Sequence, residues 1–382
     1  MTKGRVAWVR KSKMRKYTCQ PEASMKRLVF SSLAAAVPAL VLGFGAVTLG
    51  AQQAPPVPPR ATAYATAPDI PFESVPNFLK LPPDLYLGEG IGVARNSKGH
   101  IFIFTRSGDS RLFEFDEKGT FVREIGKGLY GFEMAHAVRV DAQDNIWTVD
   151  EGTNMVVKFN PEGRVLMTMG RRPEAVGGVE PTPSLPTAPP PEPYRFNRPA
   201  DITWDPAGNI YVADGYINSR VAKYDKNGRF IKSVGTRGTE PYQLNIPHSI
   251  TADANGNIYV ADRQNRRIQV FNSDLVLRAI YDNVGAPWAV CISPGPHQYL
   301  FSSNSNPDNN IAALSAVSGE IYKMELDGTV IGKFGKPGKA LGEFSTVHAI
   351  DCRNPDELVV VEITAWRAQK ILLKPLPQGS TR

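Results

Sequence analysis

From about residue 85 onward the chain alternates apolar and polar positions in short runs separated by turn residues. The stretch DPAGNIYVADGYINSRVAKYDKNGRFIKSVG, residues 205–235, shows the unit. An Asp-x-x-Gly-Asn turn leads into IYVAD, a period-two run of strand type. A polar loop and a second such run follow, and a Tyr-Asp-x-x-Gly turn then opens a last strand ending in Gly. With the alternating run ahead of the first turn, each unit holds four strands. The same order recurs at 253–280, 141–170 and 96–126, and in degenerate form at 295–335 and 355–373. The residue ahead of the second strand marks the period: His100, Asn145, Asn209, Asn257, Gln298 and Glu357. Most separations fall between 41 and 48 residues, the length of a four-stranded propeller blade. Two are longer, 64 and 59, and each spans an insertion, Pro-rich 171–193 and then 304–319. Six units predict an all-β, six-bladed propeller over residues 76–376. The sixth lacks a clear fourth strand after Pro375, so a segment near 70–82 is expected to close the ring.

Charge changes the picture at the head of the chain. The 44 Lys+Arg against 37 Asp+Glu give a formal +7, which invites a nucleic-acid or membrane-surface reading. Residues 1–51 hold nine basic side chains and one acid, Glu22, leaving 35 basic against 36 acidic residues in 52–382. The remainder is near neutral, which argues against nucleic acid as a partner. Residues 28–51 are uncharged and follow Met25-Lys26-Arg27, the pattern of a secretory signal peptide. Cleavage is expected after Ala51, with Met25 as an alternative start; an uncleaved anchor is the other reading of these 24 residues. The folded part is then exported, to the periplasm or outside the cell, and touches no membrane once the signal is removed. A Pro/Ala-rich linker (52–75) and a short tail (377–382) flank the propeller. Export leaves Cys291 and Cys352 where disulfides are permitted, so they form either a bridge or two buried thiols.

Strand direction alternates within a blade. The connections entering the first strand and joining the second to the third therefore open on one face, and the Asp-x-x-Gly turns on the other. His136, His248 and His348 each lie nine residues before their blade's marker, at the mouth of the innermost strand in blades 2, 4 and 6. The other blades carry Ile91, Ala200 and Trp288 there. Three imidazoles spaced by alternate blades make a trigonal set with an open fourth position, as a catalytic zinc requires. The bland reading is three hydrogen-bonded histidines near a wet axis. His100 and His297 fall on the opposite face, toward solvent. Arg106, Tyr216 and Arg263 follow the second strands on the histidine face. There they suit an anionic substrate and a general base whose phenol a nearby dication activates.

The repeats resemble NHL repeats in the pattern of VADRQNRRIQVF (260–271) and VADGYINSRVAKY (212–224). The site segments FTRSGD, MAHAVRVD, DGYINSRV, IPHSIT, ADRQNRRIQ and VHAI are similar to peptidyl-α-hydroxyglycine α-amidating lyase. That resemblance implies a lyase releasing an amide and glyoxylate from a small-molecule or peptide substrate bearing a carboxylate. It implies zinc on His136, His248 and His348, Tyr216 as base, and Arg106 and Arg263 as active-site arginines. The chain also departs from the pattern. Ala349 stands where the family's structural calcium takes an acid directly after the third histidine, with Asp351 nearby, and Ile217 replaces a Cys beside the tyrosine. Topology places both insertions on the site face, where they would reshape or cover the mouth. The competing reading is a non-catalytic propeller binding a peptide, glycan or partner protein on that face. A calcium-dependent lactonase propeller would want axial carboxylate and Asn ligands instead.

Overall fold

The computed structural model describes residues 67–172, 191–305 and 318–376, together with the backbone of a two-residue strand at Arg60–Ala61. The expected leader, the tail and most of both insertions lie outside the described residues. Six antiparallel four-stranded sheets follow the predicted units. Their innermost strands are Gly90–Arg95, Ala135–Val140, Asp201–Trp204, Pro247–Ala252, Pro287–Ile292 and Val347–Asn354. In the sixth blade Val347–Asn354, Glu357–Glu362 and Arg367–Leu373 are completed by Phe72–Val75, which pairs antiparallel with Arg367–Leu373. The ring is thus closed by chain from its own start, inside the expected 70–82 window. This also corrects the linker boundary, because 72–75 belongs to the propeller and not to the linker of 52–75. Phe72 is drawn in by its packing on Phe334 and Phe344. Arg60–Ala61 adds in parallel to the outer edge of the fourth blade.

The turns explain the recurring Asp and Asn. Asp205 accepts the Asn209 N–H at 2.9 Å, its side-chain amide at 2.8 Å and the Tyr211 hydroxyl at 2.8 Å. Asp253 holds Asn257 in the same way at 2.8 Å and 2.8 Å. One carboxylate thereby closes the first-to-second-strand turn of blades 2, 3 and 4 from inside, and in blade 1 the Asn96 amide oxygen takes that role. The fourth turn residue must be left-handed, hence Gly208 and Gly256 at φ 83° and 80°. In the second blade Asp144 takes that conformation at φ 61°. Gln298 departs from the pattern by preceding its strand, Leu300–Asn304, by two residues, and Glu357 is the first residue of its own strand.

In blades 3, 4 and 6 the loops after the second strands are clipped by arginines on buried carboxylates. Asp214 holds Arg220 at 2.9 Å, Asp262 holds Arg267 at 2.8 Å and Glu362 holds Arg367 at 2.6 Å. Apolar residues of each sheet pack between neighbouring blades, as where Val149 and Val156 meet Ile202, Ile210 and Val212. Cys291 and Cys352, on the inner strands of blades 5 and 6, form a disulfide, which settles the open alternative. Among the described residues no helix is long and apolar enough to cross a membrane.

Candidate metal centre and its mouth

One backbone hydrogen bond recurs in all six blades and builds the mouth. A residue just past each second strand donates its N–H to the carbonyl two residues ahead of the histidine-equivalent position. In blade 1 the donor, Arg106, lies inside its strand, Ile101–Ser107, and not after it as expected, because that strand runs on into the hairpin at Gly108. The pairs are Arg106 to Glu89, Glu151 to Met134, Tyr216 to Arg198, Arg263 to Ile246, Ser305 to Ala286 and Ile363 to Thr346, at 2.9–3.2 Å. The six donor residues form a ring directly above the inner-strand mouths. Glu151 holds the second blade's place in it. Reading the loops after each second strand could have found Glu151, since it follows Asp150 as Arg263 follows Asp262.

The histidines sit in β-bulges. Strand register skips a residue between Ala135 and Ala137, between Pro247 and Ser249, and between Val347 and Ala349. His136, His248 and His348 are the unpaired extra residues, re-aimed from the blade toward the axis. Their ring centroids are 4.7–4.8 Å apart. Each Nδ1 donates to a carbonyl of the next blade: His136 to Ala200 at 2.6 Å, His248 to Trp288 at 2.7 Å, and His348 to Ile91 at 2.6 Å. Those acceptors are the three equivalent positions that carry no histidine. With Nδ1 protonated, each imidazole offers only its Nε2 lone pair to the axis. The Nε2 atoms of His248 and His348 are buried and carry no hydrogen bond among the described residues. Burial, followed by neighbouring positive charge, holds all three far below the ordinary histidine range, His348 at about 3. They are neutral imidazoles on a preformed frame and could form a metal site.

Tyr216 completes the contact, its hydroxyl donating to Nε2 of His136 at 3.0 Å. Burial first, and then Glu151, push its phenol up to about 12, against the pull of Arg263, Arg106 and Arg198. Arg263 is buried, its guanidinium carbon 4.2 Å from the Trp288 ring centre and 5.5 Å from that of Tyr216. Arg106 is committed to carboxylates, its Nε on Glu89 at 3.1 Å and its Nη1 on Glu151 at 2.7 Å. Glu151 takes a second arginine, Arg198, on its other oxygen at 3.1 Å. Arg198 was not anticipated from the sequence. Its left-handed backbone (φ 55°) receives Tyr216 N–H and donates to Asn154, and its guanidinium lies 4.8 Å from the tyrosine ring centre. All six expected site residues therefore meet at one place, joined by Glu151 and Arg198. His100 and His297 lie elsewhere, paired with Glu114 and Glu325 at 2.7 Å and 2.8 Å.

The calcium that the resemblance implies does not fit. Ala349 offers no ligand, and the Asp351 carboxylate is held by Arg95 through both its backbone N–H and its Nε.

The NHL repeat family matches residues 244–271, within the fourth blade. A probable peptidyl-alpha-hydroxyglycine alpha-amidating lyase of Caenorhabditis elegans is 29% identical over 40% of this chain and 45% of its own length. A peptidyl-glycine alpha-amidating monooxygenase of Mus musculus is 28% identical over 59% of this chain and 25% of its own. The chain thus spans less than half the length of these curated relatives. A gluconolactonase structure from Xanthomonas campestris overlays with a TM-score of 0.51 at 16% identity, over 76% of this chain and 88% of that one. That likeness shows the fold alone. The chain is a six-bladed propeller that carries a match to the NHL repeat in its fourth blade and resembles amidating lyases.

Proposed function

We propose that this propeller is an exported, zinc-dependent lyase that cleaves the C–N bond of α-hydroxyglycine-type carbinolamides. The observation that carries the reading is the Tyr216 hydroxyl, placed 3.0 Å from one of three converging imidazole nitrogens and within the field of Arg106, Arg198 and Arg263. Three neutral imidazoles with an open fourth position suit zinc, held by His136, His248 and His348. When bound there it would supply Lewis acidity toward the substrate hydroxyl.

The remaining work falls to the chain's own residues. Tyr216, as phenolate, removes the proton of the carbinolamide hydroxyl. The freed electron pair forms the aldehyde C=O of glyoxylate, the C–N bond breaks, and the amide nitrogen takes up a proton, so atoms and charge balance. The substrate carboxylate needs a guanidinium fork for alignment. We assign that contact to Arg198, whose side chain is 36% exposed against 17% for Arg106, together with Arg263, which lies over the Trp288 and Tyr216 rings. Glu151 is the positioning residue that aims two arginines at once.

Export is supported by the Cys291–Cys352 bridge, since a structural disulfide belongs to an oxidising compartment. The test is direct. The purified chain is assayed for bound zinc and for glyoxylate release from an α-hydroxyhippurate-type substrate. Zinc with glyoxylate release supports the lyase. Zinc without turnover leaves a binding propeller, and no zinc removes the metal centre.

A further inference from the structure

Beneath the histidines the axis holds a buried ion pair that this chemistry does not use. One residue deeper than the triad, the six inner strands contribute Gly92, Ala137, Asp201, Ser249, Ala289 and Ala349, so Asp201 is the single acid of that ring. Its side chain is 3% exposed and its oxygens are fully engaged. Oδ1 accepts Arg139 Nε at 2.9 Å and the Ile202 N–H at 2.8 Å. Oδ2 accepts Arg139 Nη2, the Ser249 hydroxyl at 2.8 Å and the Ile250 N–H at 3.1 Å. Arg139, Asp201, Ser249 and Ala349 line the small void directly under the triad.

The connections run across blades. Arg139 lies three residues after His136 in blade 2, Asp201 starts the inner strand of blade 3, and Ser249 follows His248 in blade 4. Ser249 also accepts the Val290 N–H of blade 5 at 3.2 Å. A buried carboxylate needs a cationic partner, and a guanidinium fork fits it more fully than a point charge. A divalent ion would have to displace that fork and would meet no second acid in the ring.

We propose that Arg139 is the resident cation of this axis. Its guanidinium does what a structural calcium ion would do, neutralising Asp201 and tying the strands of His136 and His248 to the blade between them. The axis beneath the histidines accordingly needs no calcium. Arg139 acts as a positioning residue for the metal centre, through the strands that carry its ligands.

The test uses the full chain, stripped with EGTA, reloaded with zinc, and followed by metal analysis and thermal melting with and without millimolar CaCl2. No bound calcium and no calcium-dependent shift of the midpoint are expected. Arg139→Met should lower the midpoint by about 5–10 °C, since it leaves a buried carboxylate unpaired. It should also weaken zinc retention against a chelator by about tenfold or more. Arg139→Lys should recover part of both losses, and Arg139→Met with Asp201→Asn should melt above Arg139→Met alone. Should Arg139→Met not fold, the lysine and double variants carry the comparison. Stoichiometric calcium in the wild type, a calcium-dependent midpoint, or wild-type stability and zinc retention in Arg139→Met would each overturn the proposal. None of these readouts uses turnover, so they are independent of the lyase reading.

Discussion

Tyr216→Phe removes one oxygen from the site and tests the base assignment. The phenol is pushed up to about 12 by burial and by Glu151, so in the metal-free protein it is almost wholly protonated at neutral pH. Its oxygen lies 3.0 Å from Nε2 of His136. With a metal–nitrogen bond of about 2.1 Å, a dication on the histidines lies within about 5 Å of that oxygen. At an effective dielectric of about 20, the attraction between phenolate and dication is then about 6–7 kcal/mol, or about 10⁵-fold in the ionisation ratio. That is enough to bring the phenol into the neutral range, and burial keeps the screening low. Deprotonation makes the base competent, so kcat of the zinc-loaded protein should rise with pH across neutrality. The assay is glyoxylate release from about pH 5.5 to 9.5, with zinc content measured on the same samples. Tyr216→Phe should keep its zinc, lose about 10²–10⁴-fold in kcat and lose the rising limb. A variant within about threefold of wild type, or one that keeps the limb, would refute the assignment.

Three further outcomes follow from the same geometry. Replacing Cys291 and Cys352 by Ser opens a crosslink spanning 61 residues, for which chain entropy gives a loss of about 4 kcal/mol, read as a lowered denaturant midpoint; an unchanged midpoint would show that the bridge adds nothing to the ring. In the metal-free protein, His348 at about 3 against an unfolded 6.5 means that between these values the unfolded chain binds a proton that the native one does not. Stability should therefore fall as pH drops through that window, by up to about 5 kcal/mol, and His348→Gln should flatten the slope in urea melts. Glu151→Gln takes the charged partner from Arg106 and Arg198 together and should raise KM for the carboxylate substrate about tenfold or more, with a smaller effect on its methyl ester; equal effects on both would point to misfolding of the mouth.

The fold was legible because a propeller blade is written in side chains. The Asp and Asn of the turns in blades 2, 3 and 4, the apolar alternation and the acid–Arg clips all lie within one repeat. Ring closure was legible only as a missing strand, since a four-residue segment such as Phe72–Val75 carries little pattern of its own. The triad could be read because three histidines shared one place in alternate repeats. Glu151 and Arg198 were harder to find. Glu151 occupies a repeat position that is basic in blades 1 and 4, so scanning for substrate-binding cations passed over it. Arg198 matters through a left-handed backbone and a stacking contact, which its sequence neighbours do not announce. Arg139 looks like an ordinary strand residue until its place on the axis is known.

The alternation of ligand and non-ligand blades has a physical basis beyond spacing. A metal-binding imidazole needs an acceptor for its second nitrogen, or its tautomer and orientation are free. Near the axis of a closed propeller, most main-chain carbonyls are used by neighbouring strands. Bulges break that pairing, and the registers of blades 1 and 5 skip around Ile91 and Trp288 as those of blades 2, 4 and 6 skip around the histidines. The carbonyls of Ile91, Ala200 and Trp288 thereby receive the three Nδ1 protons. Six histidines in this ring would compete for the same acceptors and crowd one cation. Three ligands and three acceptors use every blade once. Because the acceptors are main-chain atoms, their side chains can differ as widely as Ile, Ala and Trp, and half of the candidate metal centre leaves no trace in residue type.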